Sequence, residues 1–526
     1  MSKEFTVAKV NDLQDGDMKE VEAGEQKILL TRLDGTFHAI GGECAHYGGP
    51  LADGVLSGVH VTCPWHQARF HVKTGELADP PALDSMARFE TKVQGDKVIV
   101  VLPDEPAGMV TPALIQQDLK ADPRTFVILG GGAAGNAAAQ KLRMVGYKGR
   151  IILISQEDRP PYDRPNLSKG YLSGDAGPDS LPLRSETFYQ DAGIELKLGK
   201  RVSQVNAADK NIIFHYGDSM TYDILLLATG GQARPLDVPG AGLTNVFTLR
   251  SAADCDRIIG AAVHASRAVV VGTSFIGMET AAALRKRGLE VTVVGRGSIP
   301  FQRTLGPEVG AMFQNLLEEN GVTFQLGRKV ARLEGQARVQ EVVLDNGERL
   351  PADLVLAGVG VHPATDYLHG VELNPDSSVT VDKYLSVTDG LYAAGDIARF
   401  PDWRTGELIR IEHWQLAELH GFTAALNMSG QQVEFTGVPL FWTEQYEPYL
   451  YYVGYAPHWD EIIWHGKASD RKFVAFYVKN NRVLAAAGCE HDHGMAYIST
   501  LIRTDSMPTP DQLRSRKTDL FEHLGG

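Results

Sequence analysis

The chain has 526 residues, 43% hydrophobic and 22% charged, the composition of a soluble globular protein with room for about three or four domains. Its 51 Lys and Arg against 65 Asp and Glu leave a formal charge of −14, which disfavours nucleic acid as a partner. No run of about eighteen apolar residues occurs and Met1-Ser2-Lys3-Glu4-Phe5 lacks the basic-then-apolar layout of an export signal, so neither a membrane span nor export is expected.

Residues 1–104 alternate short β-rich runs with turns. Residues 26–30, 36–40 and 97–101 read as strands, and Asp34-Gly35, Asp53-Gly54 and Thr74-Gly75 as turns. This predicts a small all-β domain. It carries Cys44-Ala45-His46 and, after sixteen intervening residues, Cys63-Pro64-Trp65-His66. Two Cys and two His are the ligands of a Rieske [2Fe–2S] centre, where two thiolates hold one iron and two imidazoles the other. On ligand type alone a structural zinc site competes. The flanking residues separate the two, because Cys44 to Gly49 and Cys63 to His66 resemble the cluster loops of Rieske ferredoxins residue for residue. Cys44, His46, Cys63 and His66 are therefore the expected metal ligands, and His38, His60 and His71 ordinary strand residues. High-potential Rieske proteins add a cysteine to each loop and a Ser hydroxyl bonded to a cluster sulfur. Here Gly49 and Trp65 stand at the extra cysteine positions, and Gln67-Ala68 stands where Gly-Ser would be. Fewer hydrogen bonds to sulfur imply a potential toward the low end of the Rieske range, roughly −150 mV.

Residues 105–122, with Pro106 and Pro112, read as a linker carrying a short helix at 114–119. From 123 the class changes. The strand Phe126-Val127-Ile128-Leu129 runs into Gly130-Gly131-Gly132-Ala133-Ala134-Gly135, then a helix to Val145 and a second strand at 151–154. This is a dinucleotide-binding βαβ unit. Gly130 makes the tight turn, Gly132 admits a pyrophosphate, and Gly135 lets helix and strand approach. The helix start at Ala133 and Ala134 turns its positive end to the phosphates. Glu157 is the acid expected to hold the ribose, with Gln156 competing for that position. The unit recurs as strand 268–271, then Gly272-Thr273-Ser274-Phe275-Ile276-Gly277-Met278-Glu279, a helix to Lys286 and a strand at 290–294. Two such units imply two dinucleotides. Ser274 replaces the middle glycine. After Val294 come Gly295-Arg296 with no acid, and Arg296 tilts the expected nucleotide toward NADPH rather than NADH.

Two further runs are a strand ending in Ala228-Thr229-Gly230 and a second ending in Ala394-Gly395-Asp396. With the two glycine motifs, they resemble the FAD-dependent pyridine-nucleotide oxidoreductases over about 125–430. The similarity is closest to the ferredoxin reductases of ring-hydroxylating oxygenases and to Rieske-bearing apoptosis-inducing-factor-like proteins. The resemblance implies Asp396 at the ribityl chain of FAD, Arg164 at its phosphates and Lys169 near its isoalloxazine. It also implies Trp414, in Glu412-His413-Trp414, against the flavin ring and Phe441-Trp442 at the flavin face. His362 departs from the family, which has Arg there. Members that reduce disulfides carry a Cys pair after the first βαβ unit, and this chain has none. Cys255 and Cys489 stand alone, which fits a reducing cytoplasm.

Residues 436–526 read as strands at 449–455, 461–464, 472–477 and 483–487 with a helix at 496–502. The expected fold is multidomain. An N-terminal all-β Rieske domain (1–104) and the linker precede two α/β Rossmann-like domains, for FAD (123–245 and 362–435) and NAD(P) (246–361). A C-terminal α+β domain (436–526) ends the chain. The expected function is an NAD(P)H-dependent flavoprotein reductase passing electrons through FAD to its own [2Fe–2S] cluster and on to an external one-electron acceptor. The alternatives are an NAD(P)H oxidase or quinone reductase, and a redox-sensing interaction protein.

Overall fold

A computed structural model describes residues 3–447 and 449–524. Runs rich in Val and Ile become two antiparallel sheets in the N-terminal domain. The larger orders its strands Lys3–Lys9, Lys97–Leu102, Arg88–Gln94, Thr36–Gly41, Gln26–Leu33 and Met18–Ala23. The smaller consists of Val55–Ser57, His60–Thr62, Arg69–His71 and Leu77–Asp79. The first cluster loop leaves the strand Thr36–Gly41, and the second joins His60–Thr62 to Arg69–His71. His60 and His71 are cross-strand partners with ring centroids 5.3 Å apart.

The linker differs from expectation, because residues 114–119 form no helix. Pro112 removes a donor at its start, and the backbone amides find carbonyls outside the segment. Ile115 N–H donates to Arg143 O at 3.2 Å and Asp118 N–H to Lys148 O at 2.8 Å. Leu114 packs on the core of the next domain. Upstream, Met109–Val110 pairs with Ser85–Met86 of the N-terminal domain.

The first Rossmann-like sheet has five parallel strands in the order Ile194–Lys197, Arg150–Ile154, Thr125–Leu129, Ile224–Leu227 and Leu391–Ala393, with Ser386–Thr388 antiparallel at one edge. Its three central strands, Arg150–Ile154, Thr125–Leu129 and Ile224–Leu227, are nearly continuous apolar runs because both faces are covered. The helix Ala133–Met144 packs against Trp414–Met428 so closely that a Cβ on Gly421 would lie 2.2 Å from Ala134 O. The second sheet is parallel throughout, with strands Val246–Thr248, Leu354–Ala357, Arg267–Val271, Glu290–Gly295 and Val322–Leu326. The last domain is a five-stranded antiparallel sheet that includes Leu440–Glu444. Its helix, Asp492–Arg503, begins four residues before the expected start. Among the described residues no helix is long and apolar enough to cross a membrane.

The N-terminal domain is docked on both neighbours. Ala137 and Phe422 of the first Rossmann-like unit join its apolar core around Cys44, Val61 and Phe70. Arg184 pairs with Asp84 at 2.8 Å and donates to Leu83 O. From the C-terminal domain, Arg503 reaches Asp79 at 3.3 Å and His493 Nδ1 donates to Asp53 O at 2.9 Å.

At the first glycine turn, Gly130 has φ +124°, and a Cβ on Gly135 would lie 1.9 Å from its carbonyl oxygen. Gly135→Val is expected to destabilise the protein by about 2 kcal/mol or more and to lower the bound flavin. Thermal unfolding and the flavin-to-protein ratio measure both, and wild-type values would contradict the close approach.

Candidate functional site

The first glycine turn opens into a cavity of about 580 Å³. Gly130, Gly132, Ala133 and Ala134 line it, with Glu157, Arg164, Lys169, Thr229, Gly230, Gly395, Asp396 and Trp414. A Cβ on Gly132 would meet nothing within 4 Å, so the backbone there is open to a bulky group. Gly135 lies behind this surface as the spacer between helix and strand.

Several of the charged lining residues are already paired. Glu157 accepts from Tyr162 Oη at 2.6 Å and from Arg164 at 2.8 Å. Asp396 pairs with Arg250 at 2.8 Å. Arg250 was invisible to sequence reasoning, because it sits in no motif and reaches the cavity from the start of the second Rossmann-like unit. His413 is half-buried, its imidazole pushed down to about 3 by desolvation, and its buried Nδ1 has no hydrogen-bond partner among the described residues. An orphaned buried nitrogen in the wall of an open cavity fits a site built for a bound group.

Glu279 sits where three segments meet. The second glycine motif placed it at a nucleotide site, and the structure turns its side chain into a buried network. It pairs with Lys169 at 2.8 Å, and Ser168 and Thr443 hydroxyls donate to it. Phe275 and Ile276 bring the start of the second helix to the same cavity, whereas Gly272, Ser274 and Gly277 lie outside it. Ser274 fits at the middle glycine position because its hydroxyl folds back to Gly358 O at 3.3 Å. Arg296 is exposed at the end of its strand, away from the cavity, and makes no ion pair among the described residues.

The four expected cluster ligands come together as two like pairs. His46 Nδ1 and His66 Nδ1 are 3.2 Å apart, and the thiols of Cys44 and Cys63 share a hydrogen bond. That bond, with burial, drives Cys44 up, while the same bond draws Cys63 down. Burial pushes both imidazoles down, His66 to about 4, so they are neutral and free to ligate. Two thiols on one side and two imidazole Nδ1 atoms on the other suit a two-iron cluster ligated in pairs. A Cβ on Gly49 would stand 3.0 Å from Cys63 Sγ, so this position has no room for a further side chain beside the ligand. The Gln67 amide is directed at Met495 O at 3.5 Å.

The cluster pocket and the cavity share a wall. Trp442 lines the cavity and packs its ring 4.6 Å from His66. Phe441 beside it stacks on Tyr452 and meets Phe275 and His413 edge-on or tilted.

A sequence model of the pyridine nucleotide-disulphide oxidoreductase family matches residues 124–421. The chain belongs to that family. In this oxidoreductase a Rieske [2Fe–2S] domain also matches at 3–90 and a reductase C-terminal domain at 440–524. Apoptosis-inducing factor 3 of Mus musculus is 38% identical over 529 residues, covering 98% of this chain and 86% of that protein. The biphenyl dioxygenase system ferredoxin–NAD(+) reductase component of Paraburkholderia xenovorans (strain LB400) is 33% identical, over 76% of this chain and 98% of its own. Among solved structures, the covalent putidaredoxin reductase–putidaredoxin complex matches with a TM-score of 0.72 and 32% identity, over 76% of this chain and 98% of that one. The protein is an FAD-dependent oxidoreductase of ferredoxin-reductase type, and its groups are FAD, NAD(H) and a [2Fe–2S] cluster. The family's name notwithstanding, Cys255 and Cys489 are buried, each pushed up to about 12 by burial, and form no disulfide.

Removing one partner of a buried ion pair costs about 3–5 kcal/mol. Lys169→Met is therefore expected to destabilise the fold by about that amount in denaturant unfolding, and Lys169→Met with Glu279→Gln to recover most of it. A single variant as stable as wild type would contradict the pairing.

Proposed function

We propose that this chain is an NAD(P)H-dependent reductase that delivers electrons to the Rieske cluster of the same chain, and from there to an outside one-electron acceptor. When bound, the flavin accepts the two electrons of a hydride together, and the cluster accepts them one at a time. The carrying observation is Trp442. Its indole borders the cavity and lies 4.6 Å from the His66 imidazole, so one aromatic side chain bridges the two sites.

The remaining residues hold that bridge in place. Thr443, next to Trp442, is tied to Glu279 at 2.7 Å, and Glu279 to Lys169, so the strand carrying the indole is anchored to both Rossmann-like units. The docked N-terminal domain brings His66 to the indole's other side. The orientation needs no general acid or base, and none is assigned. Relatives named as ferredoxin reductases act with separate partners, and here a Rieske domain is fused in front. Cys255 and Cys489, the two cysteines away from the cluster loops, form no disulfide, which supports the reducing cytoplasm as the site of action.

Cys63→Ser removes a cluster ligand but leaves the cavity alone. Flavin reduction by NAD(P)H is expected to stay within about twofold of wild type, while reduction of a one-electron acceptor such as a cytochrome falls about a hundredfold. Trp442→Ala is expected to slow the appearance of reduced cluster about tenfold after normal flavin reduction. Acceptor reduction that survives Cys63→Ser would point to the oxidase or quinone-reductase reading instead.

A further inference from the structure

The second glycine turn is built as tightly as the first. Gly272 has φ +123°, and a Cβ on Gly277 would lie 2.3 Å from its carbonyl oxygen. The helix Phe275–Lys286 has no side-chain cap, because the Ser274 hydroxyl turns back to Gly358 O at 3.3 Å. Its first amides are left for an anion such as a pyrophosphate. Phe275 and Ile276 border the flavin cavity, so a nicotinamide reaching the flavin would pass them. The adenosine half of the nucleotide belongs at the carboxyl end of the next strand, Glu290–Gly295.

NADH and NADPH share every group that a glycine turn reads and differ only in a phosphate on the adenosine 2′ oxygen. A site for NADH offers a carboxylate to the 2′-hydroxyl, and the same carboxylate repels a 2′-phosphate. Here the strand ends in Gly295, and the missing side chain has a steric cause. A Cβ on Gly295 would lie 2.4 Å from Thr273 Cγ2, within the glycine turn itself. Thr273 has to move before any acid can stand at this position.

Two cations flank the empty place. Arg296 follows Gly295 directly and is exposed. Arg328 is half-buried, two residues beyond the neighbouring strand Val322–Leu326, and its N–H donates to Gly295 O at 3.0 Å. Gly327 N–H donates to Gly297 O at 2.9 Å, so the turn around Arg296 is stitched on both sides to the turn carrying Arg328. Neither Arg enters an ion pair among the described residues. Other cations of this unit are committed. Arg267 pairs with Asp353 at 3.2 Å and Arg332 with Glu334 at 2.7 Å, and Arg285 donates to the carbonyls of Asn320 and Leu289. Two guanidiniums on adjoining turns repel each other until an anion lies between them, and a phosphate matches their fork of donors.

We propose that Arg296 and Arg328 hold the 2′-phosphate of NADPH, and that this chain selects NADPH over NADH. The proposal rests on the reading above that a nicotinamide nucleotide supplies the electrons, and it names which one. Gly295 serves the same selection, because its lack of a side chain leaves no acceptor for a 2′-hydroxyl and no negative charge against the phosphate.

The test reads binding alone, by titration calorimetry on the oxidised full-length holoprotein. The probes are 2′,5′-ADP and 5′-AMP, which differ only in the 2′-phosphate, and then NADP+ and NAD+. The phosphorylated member of each pair is expected to bind about tenfold or more tightly. Arg296→Gln with Arg328→Gln is expected to bring each ratio to within about twofold of one by weakening the phosphorylated member. Gly295→Glu with Thr273→Gly, which restores both the acid and the room for it, is expected to turn the preference toward NAD+. Equal binding of 2′,5′-ADP and 5′-AMP to the wild type, or tighter binding of NAD+, would overturn the proposal. So would an arginine variant that loses NADP+ and NAD+ in equal proportion, because the two side chains would then hold the turns and not the phosphate. The underlying reading fails separately, in an anaerobic mix. A flavin that neither nucleotide bleaches, or a cluster that stays oxidised beside a reduced flavin, would defeat that reading whatever the calorimetry shows.

Discussion

Electron transfer falls off steeply with distance, so the proposed route depends on holding His66 against Trp442. That 4.6 Å contact joins residues from opposite ends of the sequence. One partner comes from a loop between two three-residue strands, the other from the edge strand of the C-terminal sheet. Neither element is rigid alone. The loop is fixed by its neighbours: Val61 and Phe70 are wholly buried, and Gln67 is tied across the interface to Met495 O. The strand is fixed by Thr443 on Glu279 and by the stack of Phe441 on Tyr452.

The same contact explains why charge is buried where it is. Lys169 and Glu279 have side-chain exposures of 13% and 3%, and a lone charge so placed would be strongly destabilising. Paired, and with Ser168 and Thr443 donating to the carboxylate, they tie both Rossmann-like units and the C-terminal sheet together at the cavity. Arg143 plays a comparable role farther off. Wholly buried, it donates to the carbonyls of Tyr147, Gly149, Ala192 and Gly193, closing the end of the first helix against the neighbouring strand. Polar groups fully bonded in this way specify one arrangement of the domains.

Features whose chemistry is local were legible in the sequence. Cys44, His46, Cys63 and His66 stood out as candidate ligands because metals demand particular side chains at short spacing, and the structure brings the four together. Gly130 and Gly135 stood out because a tight turn and a close approach exclude a side chain. The central parallel strands showed as nearly continuous apolar runs. What could not be read is what depends on long separation. Tyr47 finds Asp163 across 116 positions, Gln67 finds Met495 across 428, and His493 finds Asp53 across 440. No period or motif records such pairs, so the docking of the Rieske domain on its own flavin unit was hidden. Arg250 was missed for the same reason. The helix expected at 114–119 failed because Leu114 gains more by packing on the adjacent core, and the local amides are satisfied by that domain's carbonyls. Glu279, assigned to a nucleotide by its motif, lines the cavity, and no motif showed that its carboxylate also pairs with Lys169.

The account's central claim is that each chain fills its own cluster. Rapid mixing with NADH or NADPH, with flavin and cluster spectra followed together over a wide range of protein concentration, tests it most directly. The docked geometry predicts that the cluster is reduced after the flavin at a first-order rate that does not change on dilution. A rate that falls in proportion to protein concentration would mean that clusters are filled by neighbouring molecules, and would contradict it.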